Sequence, residues 1–159
     1  MVLLQGVSIF YLDVFLDPLT EISYSFQTSR IALGLSFGSW PLLERLKRRD
    51  HVDLLALTPG AASNFKLIPK GLLVDSARKI LSDHWFPGGV FFVVGAVGAV
   101  TRLVAPLLKD KENDPAVIVL DAEGLNIVPL LGGHKAGGEQ LALQIAEDIG
   151  GKAILTGNS

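Results

Sequence analysis

Apolar and polar positions follow a regular pattern from Arg30 onward, and the first half of the chain predicts strands that alternate with helices. The strands are expected over residues 31–37, 52–57 and 90–94, and the helices from 39 to about 49 and over 72–82. The last of these strands has no polar residue, which is typical of a strand that is buried on both faces of a sheet.

The second half of the chain repeats this alternation and adds a hairpin. Two strands, 116–120 and 125–131, are joined by a turn at Glu123–Gly124. The other expected elements are a helix over 99–108 that breaks near Pro106, a helix over 139–149 and a strand over 153–155. Short connections between strands and helices predict an α/β fold. We expect a single domain with a mostly parallel sheet, helices on both faces and one β-hairpin.

Residues 1–29 do not follow this rhythm, so we interpret them as an N-terminal extension or linker ahead of a domain over residues 30–159. The segment has no Lys or Arg, and it therefore lacks the positive region of a secretory signal. Acidic residues interrupt it too often for a membrane-spanning helix. The uncharged stretch 86–101 is short and contains Pro87 and several glycines. We therefore expect a cytoplasmic protein without a membrane partner.

Composition and charge exclude several classes of function. The chain has 14 Lys and Arg against 16 Asp and Glu, a net charge of −2, which argues against a nucleic-acid partner. It contains no cysteine, which excludes disulfides, thiolate catalysis and iron–sulfur clusters. Its three histidines are dispersed and no paired-carboxylate motif is present, so we do not expect a catalytic metal bound by the protein.

A glycine-rich turn follows the strand over 90–94. Gly95 and Gly98 would let the backbone approach a ligand, and the helix that follows offers its N-terminus to an anion. Thr101 and Arg102 add a hydroxyl and a bidentate donor, so all four are candidate substrate-binding residues. The spacing matches neither a dinucleotide fingerprint nor a P-loop. The alternative is that the glycines only allow tight packing and that Arg102 is a surface residue.

A second turn is richer in glycine, with one histidine and one lysine enclosed by Gly132, Gly133, Gly137 and Gly138. Ordering so many glycines costs conformational entropy, which favours a loop that contacts a ligand. His134 is the candidate catalytic acid or base, because imidazole exchanges protons near neutral pH. Lys135 and Glu139 are candidate substrate-binding residues. The alternative is that His134 only caps the helix or stabilises the turn.

Both turns follow a strand and precede a helix, so we expect them at the same edge of the sheet, where they would form one composite site. Asp114 and Asp121 flank the strand 116–120 and are further candidates for substrate binding. For each aspartate the alternative is a turn or capping role. The charged segment 109–114 is expected to be a solvated loop.

Three segments resemble, in order and spacing, motifs of the CbiG family, the cobalt-precorrin-5A hydrolases of anaerobic cobalamin biosynthesis. They are Gly98–Leu108, Lys111–Gly124 and Leu130–Ala142. The chain departs from the family pattern at a few positions: Thr101 replaces Val, Gly132 replaces Ser, Ala136 replaces Gly, Glu139 stands where Asn or Asp is usual, and Gly157 replaces Thr.

The resemblance implies that the protein opens the ring A δ-lactone of cobalt-precorrin-5A and releases acetaldehyde. His134 would move protons, while Arg102 and the glycine-rich turns would hold carboxylates. Cobalt would arrive within the cobalt-corrinoid substrate, and no cofactor would be bound by the protein. The implied partner is a C-terminal CbiG-type domain or another corrin-pathway enzyme. The alternative is a non-catalytic tetrapyrrole-binding or interaction module that needs a partner domain for the chemistry.

Overall fold

Seven strands form one sheet in the computed structural model, which describes residues 30–132 and 137–157. In chain order the strands are β1 (Arg30–Gly34), β2 (Leu54–Leu57), β3 (Leu73–Val74), β4 (Val90–Val94), β5 (Ala116–Leu120), β6 (Asn126–Leu131) and β7 (Lys152–Ala153). Their order across the sheet is β3-β2-β1-β4-β5-β6-β7. The first five strands in this order are parallel, β6 is antiparallel to β5, and β7 is parallel to β6. The predicted extension over residues 1–29 lies outside the described residues.

Helices cover both faces of the sheet, as the sequence predicts. They are α1 (Trp40–Arg48), α2 (Pro59–Ala62), α3 (Ala77–Asp83), α4 (Val97–Val104) and α5 (Gly138–Ile149), with short 3₁₀ turns at Phe37–Ser39 and Ala105–Leu107. One apolar layer contains α1, α2 and α5, and the other contains α3 and α4. The predicted α/β class, mostly parallel sheet and hairpin are confirmed. Within the described ranges, none of these helices is long and apolar enough to cross a membrane.

The central strands are buried on both faces. Along β4, Val90, Phe92 and Val94 face the layer with α1 and α5, whereas Phe91 and Val93 face the layer with α3 and α4. This alternation follows from the two-residue period of a strand. Every residue of β4 and of β5 is buried, which explains why these two strands contain no polar side chain.

The helix predicted over residues 72–82 is wrong at its start. Leu73 and Val74 pair with β2 as a short edge strand, and the helix begins only after Ser76. The Ser76 hydroxyl accepts a hydrogen bond from the Lys79 backbone N–H at 3.2 Å, which caps the first turn of α3. Pairing with a distant strand therefore outweighs the local helical periodicity of this segment.

The turn from β1 into α1 is tightly packed. Ser39 occupies the N-cap position of α1, but its hydroxyl donates to the Ser36 carbonyl at 2.5 Å instead of capping the helix. A Cβ at Gly34 would overlap the Ser39 hydroxyl and would lie 2.6 Å from Leu57 and 2.9 Å from Leu43. Gly34 is therefore required for this close approach of β1, β2 and α1.

Polar contacts connect α5 to the end of α1. Asp148 of α5 accepts a hydrogen bond from Arg49 Nη1 at 2.6 Å, and its other carboxylate oxygen lies 2.7 Å from His51 Nε2. Arg45 Nη2 donates to the Ile149 carbonyl at 3.0 Å. The hydrogen bond to His51 and the charge of Arg49 hold the pKa of Asp148 below its usual range.

Replacing Gly34 with Ala should lower the free energy of unfolding by about 1–3 kcal/mol, because the new methyl group overpacks the β1–α1 turn. Gly60→Ala is the matched control, since a Cβ at Gly60 meets nothing within 4 Å. Urea unfolding at equilibrium measures both effects. Equal unfolding midpoints for the two variants would contradict the packing argument.

Replacing Asp148 with Asn should lower the urea midpoint at pH 7, because the variant loses the carboxylate that pairs with Arg49 and hydrogen-bonds to His51. The pKa of Asp148 is lower in the folded than in the unfolded chain, so its stabilising effect is complete above the unfolded value. The difference between wild type and variant should therefore shrink as the pH falls below about 4. Glu147→Gln removes a neighbouring exposed charge and should change little. A difference that stays constant from pH 7 to pH 3 would contradict this assignment.

Candidate functional site

An open cleft of about 650 Å³ lies where β6 ends and α5 begins. Its described walls are the loop 108–114, the residues Leu130–Gly132, Glu139 in the first turn of α5, and the residues 156–157 that follow β7. These segments are far apart in the sequence, so only the folded chain brings them together. A concave site with an apolar floor and a few polar groups is typical of small-molecule binding.

The direction of β6 determines where this cleft lies. Leu120 pairs with Ile127 and Val117 pairs with Leu131, so the hairpin returns the chain from the carboxyl end of β5 to its amino end. The helix α5 therefore starts at the edge of the sheet where the parallel strands begin. Because β7 is parallel to β6, the chain returns to this same edge after β7, where residues 156–157 complete the cleft.

The prediction that both glycine-rich turns lie at the same edge of the sheet is wrong. Gly95 follows the carboxyl end of β4, whereas Gly132 and Gly137 lie at the opposite edge. The carboxyl ends of strands share an edge only when the strands are parallel, and β6 is antiparallel to β4 and β5. The structure therefore excludes a composite site of these two turns.

The first glycine-rich turn is closely packed. In this strand order the crevice between the carboxyl ends of β1 and β4 is the place where doubly wound sheets usually bind a ligand. Here Leu35 occupies it: its N–H donates to the Val94 carbonyl at 3.2 Å, and a Cβ at Gly95 would lie 2.8 Å from its side chain. The alternative interpretation of Gly95, tight packing, fits the structure.

Thr101 and Arg102 lie on the exposed surface of α4 and bond to their own helix. The Thr101 hydroxyl donates to the Val97 carbonyl at 2.8 Å, and Arg102 Nη1 donates to the Gly98 carbonyl at 3.0 Å. A Cβ at Gly98 would lie 3.3 Å from this guanidinium nitrogen. None of these residues lines the cleft at the end of β6.

Asp121 stabilises the hairpin turn. Its carboxylate accepts hydrogen bonds from the Leu125 N–H at 2.8 Å, the Asn126 N–H at 3.0 Å and the Asn126 side-chain amide at 2.7 Å. Burial acts to raise the pKa of Asp121, but these hydrogen bonds outweigh it and lower the pKa below its usual range. The turn role considered for Asp121 fits this geometry.

Asp114 lines the cleft and also shapes its wall. Both of its oxygens lie 3.0 Å from the Lys109 N–H, and Oδ1 also accepts from Trp85 Nε1 at 3.0 Å. Asp110 accepts from the N–H groups of Glu112 and Asn113, each at 2.9 Å. The segment expected to be only a solvated loop is thus a hydrogen-bonded wall of the cleft.

The two described ends of the second glycine-rich turn have backbone conformations and close contacts that favour glycine. Gly132 and Gly137 adopt positive φ angles of 68° and 72°, which side-chain-bearing residues rarely adopt. The Gly138 N–H donates to the Gly132 carbonyl at 3.1 Å, and a Cβ at Gly138 would lie equally close to that oxygen. The candidates Gly133, His134 and Lys135 lie outside the described residues.

Sequence reasoning missed two lysines in the cleft. Lys109 and Lys111 line the cleft from the loop 108–114, where both are exposed. Lys111 belongs to one of the segments that resemble the CbiG family, which could have suggested it, whereas no pattern in the sequence distinguishes Lys109. Within residues 30–132 and 137–157, no group of three or more His, Asp or Glu side chains is placed to hold a metal ion.

Comparison with known proteins relates the chain to a biosynthetic family. The family model described as cobalamin synthesis G N-terminal matches residues 79–159. The chain is 39% identical, over 51% of its length, to a cobalt-precorrin-5A hydrolase of Priestia megaterium. It is 29% identical, over 67% of its length, to a cobalt-precorrin-5A hydrolase of Salmonella typhimurium. The chain spans 22% and 35% of the lengths of these two relatives.

A solved structure has the same fold. The chain superposes with a TM-score of 0.58 on a cobalamin biosynthesis protein G homologue from Sulfolobus solfataricus, at 17% sequence identity. The match covers 82% of this chain and 38% of the other. The family match includes α4, the hairpin, the described walls of the cleft and α5. The chain belongs to the cobalamin synthesis G N-terminal family.

Proposed function

We propose that this chain acts in cobalamin biosynthesis on cobalt-precorrin-5A, opening the ring A δ-lactone with release of acetaldehyde. The names of the two curated relatives support the substrate and the reaction class. The cleft at the end of β6 is the proposed substrate site, and its apolar floor with polar walls suits a large amphipathic ring.

The main support for this proposal is one structural observation. All three segments that resemble the CbiG family contribute to the same cleft. Leu108 ends the first segment, Lys111 and Asp114 lie at the start of the second, and Leu130 begins the third. Leu108, Lys111 and Asp114 belong to one loop, which β5, the hairpin turn and most of β6 separate from Leu130 in the sequence. The meeting of this loop with the end of β6 supports a shared role in one site.

Lactone opening requires a water molecule to attack the acyl carbon and a proton to reach the departing ring oxygen. In the proposal His134 takes the proton from the attacking water and returns it to that oxygen. His134 is two residues from Gly132 in the sequence, and Gly132 lines the cleft. The first turn of α5 has N–H groups without an acceptor inside the helix, and these would stabilise the negative oxygen that forms during the attack.

The cofactor and the partner are part of the same proposal. Cobalt enters as a component of the substrate, and the chain itself binds no cofactor. The polypeptide partner is a further domain of the C-terminal CbiG type or another corrin-pathway enzyme. The shares of the curated relatives that the chain spans, 22% and 35%, support a contribution from additional polypeptide.

The same observation favours a second candidate function. In this alternative the chain is a non-catalytic module that binds the tetrapyrrole, and a partner domain supplies the chemistry. The two functions differ in one measurable product. An isolated chain that binds cobalt-precorrin-5A and releases no acetaldehyde would support the alternative.

The test of the proposed chemistry is His134→Ala in the 159-residue chain and in a complete hydrolase that contains it. Acetaldehyde release at saturating substrate should fall by about 10²–10⁴-fold, because replacing a general base affects the chemical step. Substrate affinity should change little, which separates loss of a base from loss of a binding contact.

His84→Ala is the matched control for this measurement. His84 lies at the end of α3, and its Nδ1 lies 3.0 Å from the Ile80 carbonyl. The variant loses the same side chain outside the described walls of the cleft and should retain acetaldehyde release. Near-normal turnover by the His134→Ala hydrolase would exclude the catalytic role of His134.

A further inference from the structure

Two lysines on one wall of the cleft are available to bind a ligand. Lys109 and Lys111 are exposed and line the cleft. Neither side chain donates a hydrogen bond or forms an ion pair within residues 30–132 and 137–157, although Lys109 interacts electrostatically with Asp110. Exposed ammonium groups at the rim of an apolar cavity are suited to anionic groups of a ligand.

Two carboxylates of the loop line the cleft, those of Asp110 and Asp114, and both accept hydrogen bonds. Asp110 accepts from the Glu112 N–H, the Asn113 N–H and the Asn113 side-chain amide, at distances of 2.8–2.9 Å. Its hydrogen bonds, the one from the Asn113 side chain first, lower the pKa of Asp110. Asp114 accepts from the Lys109 N–H and from Trp85 Nε1. These two carboxylates hold the backbone of the loop, whereas the ammonium groups of Lys109 and Lys111 donate no hydrogen bond within the described residues.

The rest of the described lining consists of apolar residues, Glu139 and the segment after β7. Leu108, Leu130 and Leu131 form an apolar floor, and Leu108 is 47% exposed. Glu139 lines the cleft from the first turn of α5. A Cβ at Gly157 would lie 2.6 Å from Glu139 Oε1, so the segment after β7 passes directly against this carboxylate. Among the charged residues of the described lining, only Lys109, Lys111 and Glu139 have side chains that make no hydrogen bond within residues 30–132 and 137–157.

We propose that Lys109 and Lys111 bind the carboxylates on one edge of a flat polycarboxylate ring whose apolar face lies on the leucine floor. Glu139 disfavours ring carboxylates at the first turn of α5, so the carboxylates of the ring bind at the loop. This inference rests on the proposed function and names the groups that recognise the rim of its substrate. It assigns binding to the loop wall and not to Arg102, whose guanidinium bonds to its own helix on the surface of α4.

The proposal predicts that removing a lysine and removing the charge of Glu139 change the affinity for an anionic ring in opposite directions. A lysine–carboxylate contact at a partly exposed site is worth about tenfold in affinity. Removing either lysine should therefore weaken the binding of an anionic ring, whereas removing the charge of Glu139 should strengthen it. A purely apolar cleft would respond to neither change.

The test uses two synthetic porphyrins with similar flat rings and opposite charge: tetrakis(4-carboxyphenyl)porphyrin and tetrakis(N-methylpyridinium-4-yl)porphyrin. Fluorescence titration of the 159-residue chain measures the dissociation constant of each. Lys109→Ala and Lys111→Ala should each weaken binding of the anionic porphyrin about tenfold, and Glu139→Gln should tighten it. The cationic porphyrin should show no loss of affinity in the lysine variants. Lys70→Ala, which removes an exposed lysine from the loop before β3, should leave both affinities unchanged.

Equal affinity of the anionic porphyrin for wild type and both lysine variants would overturn the inference, and so would the absence of binding to the wild-type chain. Weakening by Lys70→Ala as large as that by Lys111→Ala would also overturn it, because it would indicate a general charge effect. The catalytic role of His134 is tested separately, by measuring acetaldehyde release from the His134→Ala hydrolase. Lysine-dependent porphyrin binding combined with near-normal His134→Ala turnover would retain this inference and exclude that catalytic role.

Discussion

The reversal of the chain between β5 and β6 is the constraint on which the position of the cleft depends. Asp121 accepts three hydrogen bonds from Leu125 and Asn126, and Gly124 adopts a φ of 71° beneath the side chains of Leu42 and Ile149. A tight turn stabilised in this way makes β6 antiparallel to the five strands before it. The carboxyl end of β6, and with it the N-terminus of α5, therefore lies at the opposite edge of the sheet from the carboxyl end of β4.

This reversal gives the molecule two sheet edges with different properties. At one edge the crevice between β1 and β4 contains Leu35, and Gly95 allows Leu35 to pack closely. At the other edge the loop 108–114, the end of β6 and residues 156–157 leave an open cleft. The cleft lies at the carboxyl ends of β6 and β7, which form their own parallel pair with α5 between them in the sequence. The carboxyl ends of strands are the usual place of ligand sites in open α/β sheets.

The cleft combines backbone features with charged side chains. Glycines at 132, 137 and 138 allow the chain to turn from β6 into α5 at close range, while Asp110 and Asp114 bond to N–H groups and fix the facing loop. The charged lining groups of that loop thus have different roles: the carboxylates of Asp110 and Asp114 hold the backbone, and Lys109 and Lys111 line the cavity. The match to the cobalamin synthesis G N-terminal family covers all the described residues that line this cavity.

The sequence alone was enough to predict two kinds of element: the strands that are buried on both faces, and the turns that are marked by their residues. Strands β4 and β5 were predicted to the residue, because a fully apolar run bounded by glycine or proline has few alternatives. The tertiary structure decided which edge each glycine-rich turn occupies, that residues 73–74 form a strand, and that Lys109 and Lys111 line a cavity. The physical reason is that hydrophobic periodicity reports which faces of a segment are buried, whereas strand direction and cavity walls depend on pairing between segments distant in sequence.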